Sequence, residues 1–149
     1  MQHMADTHPL PFVLVFVICA WMGVSFLSSY LGGWASLARR YAYPDEFWGD
    51  RWSFQSGQMR GMTNYGCCLT IGANSDGLYL SVLFLLRIGH PALFIPWWVI
   101  FVTRKMVLWF KRVELHLGRE ASIPLQIREG LASKLKQSAG ASWPVETLA

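Results

Sequence analysis

The sequence predicts one N-terminal transmembrane helix followed by a small, mainly β, α+β domain with a C-terminal helix. Two observations carry that prediction. The first is Leu10 to Trp34, which contains no charged residue. As a helix rising about 1.5 Å per residue it spans roughly 37 Å, enough to cross a hydrocarbon core of about 30 Å with some tilt. The second is a change of period: from Trp52 onward apolar residues recur every second position rather than every third or fourth.

The helix reads as a retained anchor rather than a signal peptide. No Lys or Arg precedes Arg39, and no small-x-small cleavage site stands before the charged flank. Residues 1–9 form a polar lead, and Pro9 or Pro11 sits where a helix start tolerates proline. After Gly32-Gly33, Trp34, Leu37, Ala38 and Tyr41 recur at helical spacing. They predict a short interfacial helix with Trp34 and Tyr41 at headgroup level, ended by Tyr43-Pro44. The expected segments are thus a lead over 1–9, a transmembrane helix over 10–34, an interfacial helix and linker over 35–51, a β domain over 52–137 and a flexible tail over 138–149.

Within the domain, Tyr65, Cys67, Leu69, Ile71 and Ala73 alternate with Gly66, Cys68, Thr70 and Gly72, a half-buried strand that places Cys67 in the core. Asn74-Ser75-Asp76-Gly77 is a turn, and Leu78 to Leu86 returns as the second strand of a hairpin. Gly89-His90-Pro91 breaks the run. Ala92 to Trp97 is a strand that Pro96 assigns to an edge or bulge. Trp98 to Thr103, a turn at Arg104-Lys105, and Met106 to Phe110 predict a second hairpin. Arg112, Glu114 and His116 alternate with Val113, Leu115 and Leu117, and Ile123, Leu125 and Ile127 fit one more strand. A helix over about Arg128 to Gln137 closes the domain. About seven antiparallel strands and one helix is the element order of a pleckstrin-homology-like or GRAM-like sheet or barrel. The rival reading, a second span over Leu78 to Thr103, carries Arg87, His90, Gly and Pro at its centre, where a span tolerates them least.

Composition narrows the function. All 13 basic residues lie from Arg39 onward, and the net charge is +4. The positive-inside rule then places the N-terminus outside and the domain in the cytoplasm, facing an anionic leaflet. No dense basic block or helix face suggests nucleic acid. Three cysteines, two of them adjacent, argue against a disulfide framework, and no CxxC or HxxxH spacing suggests a metal. Nor does any phosphate-binding glycine loop precede a helix. No cofactor is expected, although a pigment or haem contact at His3 or His8 stays open.

Candidate chemistry is sparse. His90 lacks an obvious orienting carboxylate, the nearest acid in sequence being Asp76 across the hairpin; a turn histidine bonded to backbone is the simpler reading. His116 is expected solvated, and Asp45, Glu46 and Asp50 fit a solvated linker. Arg104-Lys105 and Lys111-Arg112 bracket Met106 to Phe110, which suits headgroup contact with Trp109 at the interface and Arg39 and Arg40 beside the anchor.

The segments GWASLARRYAYP (33–44) and GLYLSVLFLLRIGHPALFIPW (77–97) carry a resemblance. With Phe54 to Gly57, Glu114 to Gly118 and Pro124 to Ile127, they resemble a group of small bacterial membrane-anchored proteins marked by GWxxLAxxY, GLYLSVLF and GHPxLFIPW. The resemblance implies one anchor plus one soluble domain in the bacterial inner membrane, and no particular activity. This chain departs from the pattern where Trp98 and Val99 follow IPW. That extends the apolar run, so Leu93, Phe94, Ile95, Trp97, Trp98 and Val99 form the expected protein interface. The expected function is a non-enzymatic accessory or assembly subunit of a larger inner-membrane complex, with membrane lipids and that complex as partners. The alternatives are a stand-alone headgroup-binding module, a small membrane enzyme using His90 with Asp76 or a thiol, and a two-span structural protein.

Overall fold

The computed structural model describes residues 9–119 and 122–148; His3 and His8 lie outside the described residues. In chain order it comprises α1 (Leu10–Gly32), α2 (Trp34–Tyr41), β1 (Asp50–Met59), β2 (Thr63–Ala73), β3 (Gly77–Val82), β4 (Leu93–Pro96), β5 (Ile100–Val107), β6 (Phe110–Leu117), β7 (Ile123–Arg128), α3 (Glu129–Ala139) and β8 (Glu146–Leu148). The eight strands make one curled sheet, a half-barrel, in the order β4-β3-β2-β1-β7-β6-β5-β8.

α1 has 23 residues, is long and apolar enough to cross a membrane, and leaves nearly all its large side chains uncovered. Ser25, Ser29 and Gly32 are the exceptions: their spacing of four and three puts them on one face, and that face is buried. The helix stops at Gly33 for two reasons. Its φ of +83° is left-handed, and a side chain there would put Cβ 2.7 Å from Ile123 Cδ1.

Two antiparallel meanders, β1–β4 and β5–β7, meet where Gln58 and Met59 of β1 pair with Gln126 and Leu125 of β7, extended by the Arg60 amide donating to Pro124 O. Bulges bend the sheet into this curl. The β1–β2 register shifts between Trp52 and Gln55 and again between Gln55 and Gly57, with Phe54 and Cys67 at positive φ. The second shift overturns the expectation for Cys67. Tyr65 and Leu69 keep the core face, but the bulge between them turns Cys67 out to solvent.

The concave face is filled by α2, through Trp34 and Leu37, and by α3, through Leu131, Ala132, Leu135 and Ala139. Trp34 is therefore not an interfacial aromatic. It is fully buried against Tyr65 and His90, its indole N–H donating to Pro91 O, and Tyr41 too packs on the core.

Other expectations are corrected. β3 ends at Val82, and Phe84–Leu86 is a 3-10 turn. Residues 78–103 hold strands and 3-10 turns and no spanning helix. The β5–β6 hairpin turns at Leu108-Trp109, not Arg104-Lys105; Arg104 pairs Val113 and Lys105 pairs Arg112 within the ladder. The tail is not loose. β8 adds parallel to β5, from Val102↔Glu146 to Arg104↔Leu148, because Arg104, Lys136 and Trp143 all hydrogen-bond the Glu146 carboxylate. β4 is an edge strand, as Pro96 argues.

Candidate functional site

The expected interface run is mostly core. Leu93, Ile95, Trp97 and Val99 are buried, since β4 pairs with β3 and turns alternate residues inward. Phe94 is half-buried beside Tyr43 and Phe47. Only Trp98 is open, 68% exposed with the Arg119 guanidinium over its ring. It borders an open hollow of about 600 Å³ shared with Trp97, Phe101, Trp143, Pro144 and Val145.

His90 sits at the seam between α1 and the half-barrel, only 1% exposed. Its Nε2 lies 3.0 Å from the Tyr65 hydroxyl, and its Nδ1 lies 3.4 Å from Ile88 O and 3.5 Å from Ser25 Oγ. A neutral ring accepting the Tyr65 proton at Nε2 and donating from Nδ1 satisfies every partner. Burial pushes the His90 pKa below its ordinary value, opposed by hydrogen bonds to the Ile88 and Leu86 carbonyls, and burial pushes the Tyr65 hydroxyl up. The adjoining hollow, about 110 Å³, is lined by Trp21, Ser25, Asn64 and Cys68 among others, with no carboxylate. Asp76 is in the β2–β3 turn, hydrogen-bonded to Asn74 and Trp97. The structure does not bring it to His90.

The outer face of β5–β7 carries the charged residues. The register sets Lys105 opposite Arg112 and Arg112 opposite Arg128, three cations in one rung. Like charges directly opposite are destabilising. Lys105 reaches diagonally to Glu114 Oε2 at 3.0 Å, but neither arginine has a carboxylate partner among the described residues. Arg112 and Arg128 instead line a hollow of about 280 Å³ with Ser56, Gln58, Asn64 and the glycines 57 and 66. Such a surface suits an oxyanion, since guanidinium forks match phosphate oxygens. Asn64 also lines the hollow against α1.

Glu114, expected on a solvated face, is 5% exposed. Burial pushes its pKa up, but bonds from Lys105 and Gln126 and the charges of Lys105 and His116 outweigh this, and the net direction is down. His116, expected free in solvent, holds Glu114 Oε1 at 3.0 Å.

Beyond the rung, the hairpin tip projects. Met106, Leu108, Trp109 and Phe110 are all exposed, Trp109 at 91%. No acidic residue lies between Thr103 and Glu114. Of the expected headgroup residues, Trp109, Lys111 and Arg112 are open, whereas Arg104 is tied to Glu129 and Glu146 and Lys105 to Glu114. Arg39 and Arg40 lie exposed in the last turn of α2, where cations complement the helix dipole. Sequence reasoning missed Arg128 and Asn64; only the pairing of β7 with β6, and the position of β2 against α1, bring them in.

No family model matches the chain, and neither a curated protein nor a solved structure is significantly similar to it.

Proposed function

We propose that the chain is a non-enzymatic module of the bacterial inner membrane, anchored by α1 with its N-terminus outside. Its cytoplasmic half-barrel, a pleckstrin-homology-like use of a curled sheet, binds acidic phospholipid headgroups. The observation that carries this reading is the Arg112–Arg128 rung, which has no carboxylate partner among the described residues and opens into the hollow shared with Asn64. An apolar, acid-free hairpin tip continues it. Cations meeting lipid phosphate, with Trp and Phe at the interface, is the chemistry that this arrangement suits.

The test places an environment-sensitive dye at Leu108→Cys in the full chain, with Cys19, Cys67 and Cys68 replaced. The protein is reconstituted in nanodiscs with and without phosphatidylglycerol. A blue shift that needs the anionic lipid and fades with salt is expected. Identical spectra in both lipids would refute the reading.

A second reading, an accessory subunit of a larger membrane complex, is favoured by the aromatic hollow at Trp98, Phe101 and Trp143. Stoichiometric co-migration with one complex after gentle extraction of native membranes, lost in Trp98→Ala, would support it. Migration alone would remove it.

A further inference from the structure

We infer that the turn after β3, residues 83–89, is embedded in the cytoplasmic leaflet as a wedge against α1. The inference rests on the anchoring role proposed for α1 and is independent of the headgroup contact.

Trp21 Nε1 donates to Leu85 O, Ser25 Oγ to Ile88 O and Leu86 O, and Ser29 Oγ to Gly89 O. The turn therefore runs alongside α1 from Trp21 to Ser29, about 12 Å of helix. Only Leu10 to Ala20 extends beyond it, about 16 Å, half of a hydrocarbon core of about 30 Å. A helix that spans must draw the turn in with it. Seating the turn in water instead would also strand Val24, Phe26, Leu27 and Tyr30, which are exposed on the other sides of the same stretch.

The turn itself fits hydrocarbon. Phe84, Leu85 and Ile88 are exposed although nothing polar calls them outward. Irregular backbone survives at membrane depth only when its polar groups are satisfied internally. Here every carbonyl from Leu83 to Gly89 has a partner, as do the amides of Leu83, Leu86 and Arg87. The amides of Phe84, Leu85, Ile88 and Gly89, which have none among the described residues, hold the turn at the headgroup boundary, where water reaches them. The carbonyls of Leu83, Phe84 and Arg87 accept from the amides of Leu86, Arg87 and His90; the other four accept from the Trp21, Ser25 and Ser29 side chains. A loop in water has no need of such capping, because solvent supplies it. Arg87, exposed in the turn, has a long apolar stem that carries its charge back to the phosphates.

The experiment is spin-label accessibility in the full chain, in vesicles of phosphatidylcholine and phosphatidylglycerol. The background carries Cys19→Ala, Cys67→Ser and Cys68→Ser. Labels go on Leu85→Cys and Ile88→Cys in the turn, Val17→Cys in the free part of α1, and Trp48→Cys in an exposed loop of the domain. All four side chains are exposed, so the labels displace no core. Expected is collision with oxygen rather than with a water-soluble nickel chelate at 85, 88 and 17, and the reverse at 48. Nickel access at 85 and 88 with Val17 still protected would overturn the wedge and leave the anchor standing. Nickel access at Val17 as well would overturn both.

Discussion

Glu146→Gln is predicted to release β8 and lower the stability of the half-barrel. The Glu146 carboxylate accepts from Arg104 Nε at 2.7 Å and Nη2 at 3.1 Å, from Trp143 Nε1 at 2.9 Å and from Lys136 Nζ at 3.3 Å. The two-pronged bond from Arg104 is foremost in holding its pKa down to about 2. Set against the ordinary value of 4.5, this corresponds to about 3 kcal/mol at about 1.36 kcal/mol per pH unit. The side chain keeps 22% of its exposure, and solvent screening reduces the expectation to about 1–2 kcal/mol. For a domain of roughly 100 residues that lowers Tm by about 5–10 °C. The sign follows from linkage. A carboxylate whose pKa is depressed by folding stabilises fully above about 4.5, and its contribution drains away as pH falls toward 2. Melting of the parent and of Glu146→Gln, followed by tryptophan fluorescence in nanodiscs at pH 7 and pH 3, measures both effects. The gap should be widest at pH 7 and narrow to about two-fifths of that at pH 3, still above the folded-state value of about 2. Glu129→Gln is the control: one bond of 3.0 Å at a more exposed carboxylate should cost less than about 1 kcal/mol. Equal melting of Glu146→Gln and parent at pH 7 would refute the reasoning.

Arg112→Gln and Arg128→Gln should each raise stability by about 0.2–1 kcal/mol, since each removes a directly opposed like charge, while the pair abolishes the salt-sensitive response of the Leu108 dye. A loss of stability instead would mean that the two guanidinia have a structural partner. His90 is neutral in the fold because burial holds its pKa below 6.5, so stability is full above that pH and declines as pH falls through the folded-state value. The parent melting temperature should therefore drop more between pH 7 and pH 5 than that of His90→Gln. Cys67, turned out by the bulge with its N–H bonded to Ser56 Oγ at 2.9 Å, should react with a membrane-impermeant maleimide in the folded protein; protection would mean that the strand runs without the bulge.

What was legible in the sequence was whatever a local pattern encodes. The charge-free stretch gave α1, Asn74 to Gly77 gave the β2–β3 turn through Asn74 Oδ1 accepting the Asp76 and Gly77 amides, and the alternation at Ile123, Leu125 and Ile127 gave β7. Local patterns failed where backbone departs from the regular ladder. The turn at Leu108-Trp109 has neither Gly nor Asn to advertise it, although Leu108 takes φ of +58°. The bulge at Cys67 carries no signal either. The site was less legible still, because its parts come from separate strands. Arg112 and Arg128 are 16 positions apart and become neighbours only through β6–β7 pairing, and the same pairing buries Glu114 between Lys105 and Gln126. Trp34 and the run from Leu93 to Val99 misled for the opposite reason. Apolar residues next to an anchor suit lipid, a partner or a core equally well, and only the packing of α2 and β4 decides.

That packing also bears on how a shallow cationic rung can suffice. The half-barrel is not a separate module hung on a tether. Trp34 and Leu37 belong to its core, Gly33 seats on Ile123, and Ser25 and Ser29 are bonded to the turn after β3. A chain beginning at Trp52 would lack Trp34 altogether, which vacates a fully buried tryptophan site worth about 3–5 kcal/mol and leaves the Pro91 carbonyl without its indole donor. Seated this way, the domain holds one orientation relative to α1. Each basic residue at an anionic surface contributes only about 1 kcal/mol, too little for two arginines to recruit a free protein. In the proposed anchored protein no recruitment is needed, because α1 already holds the rung near the surface. In the proposed function the rung then has only to bias the tilt of α1 and the half-barrel together, which lays the β5–β6 tip on the bilayer or lifts it off. Two guanidinia without a carboxylate partner among the described residues, at about 2 kcal/mol together, match that smaller task and would make the proposed contact reversible by salt or by lipid composition.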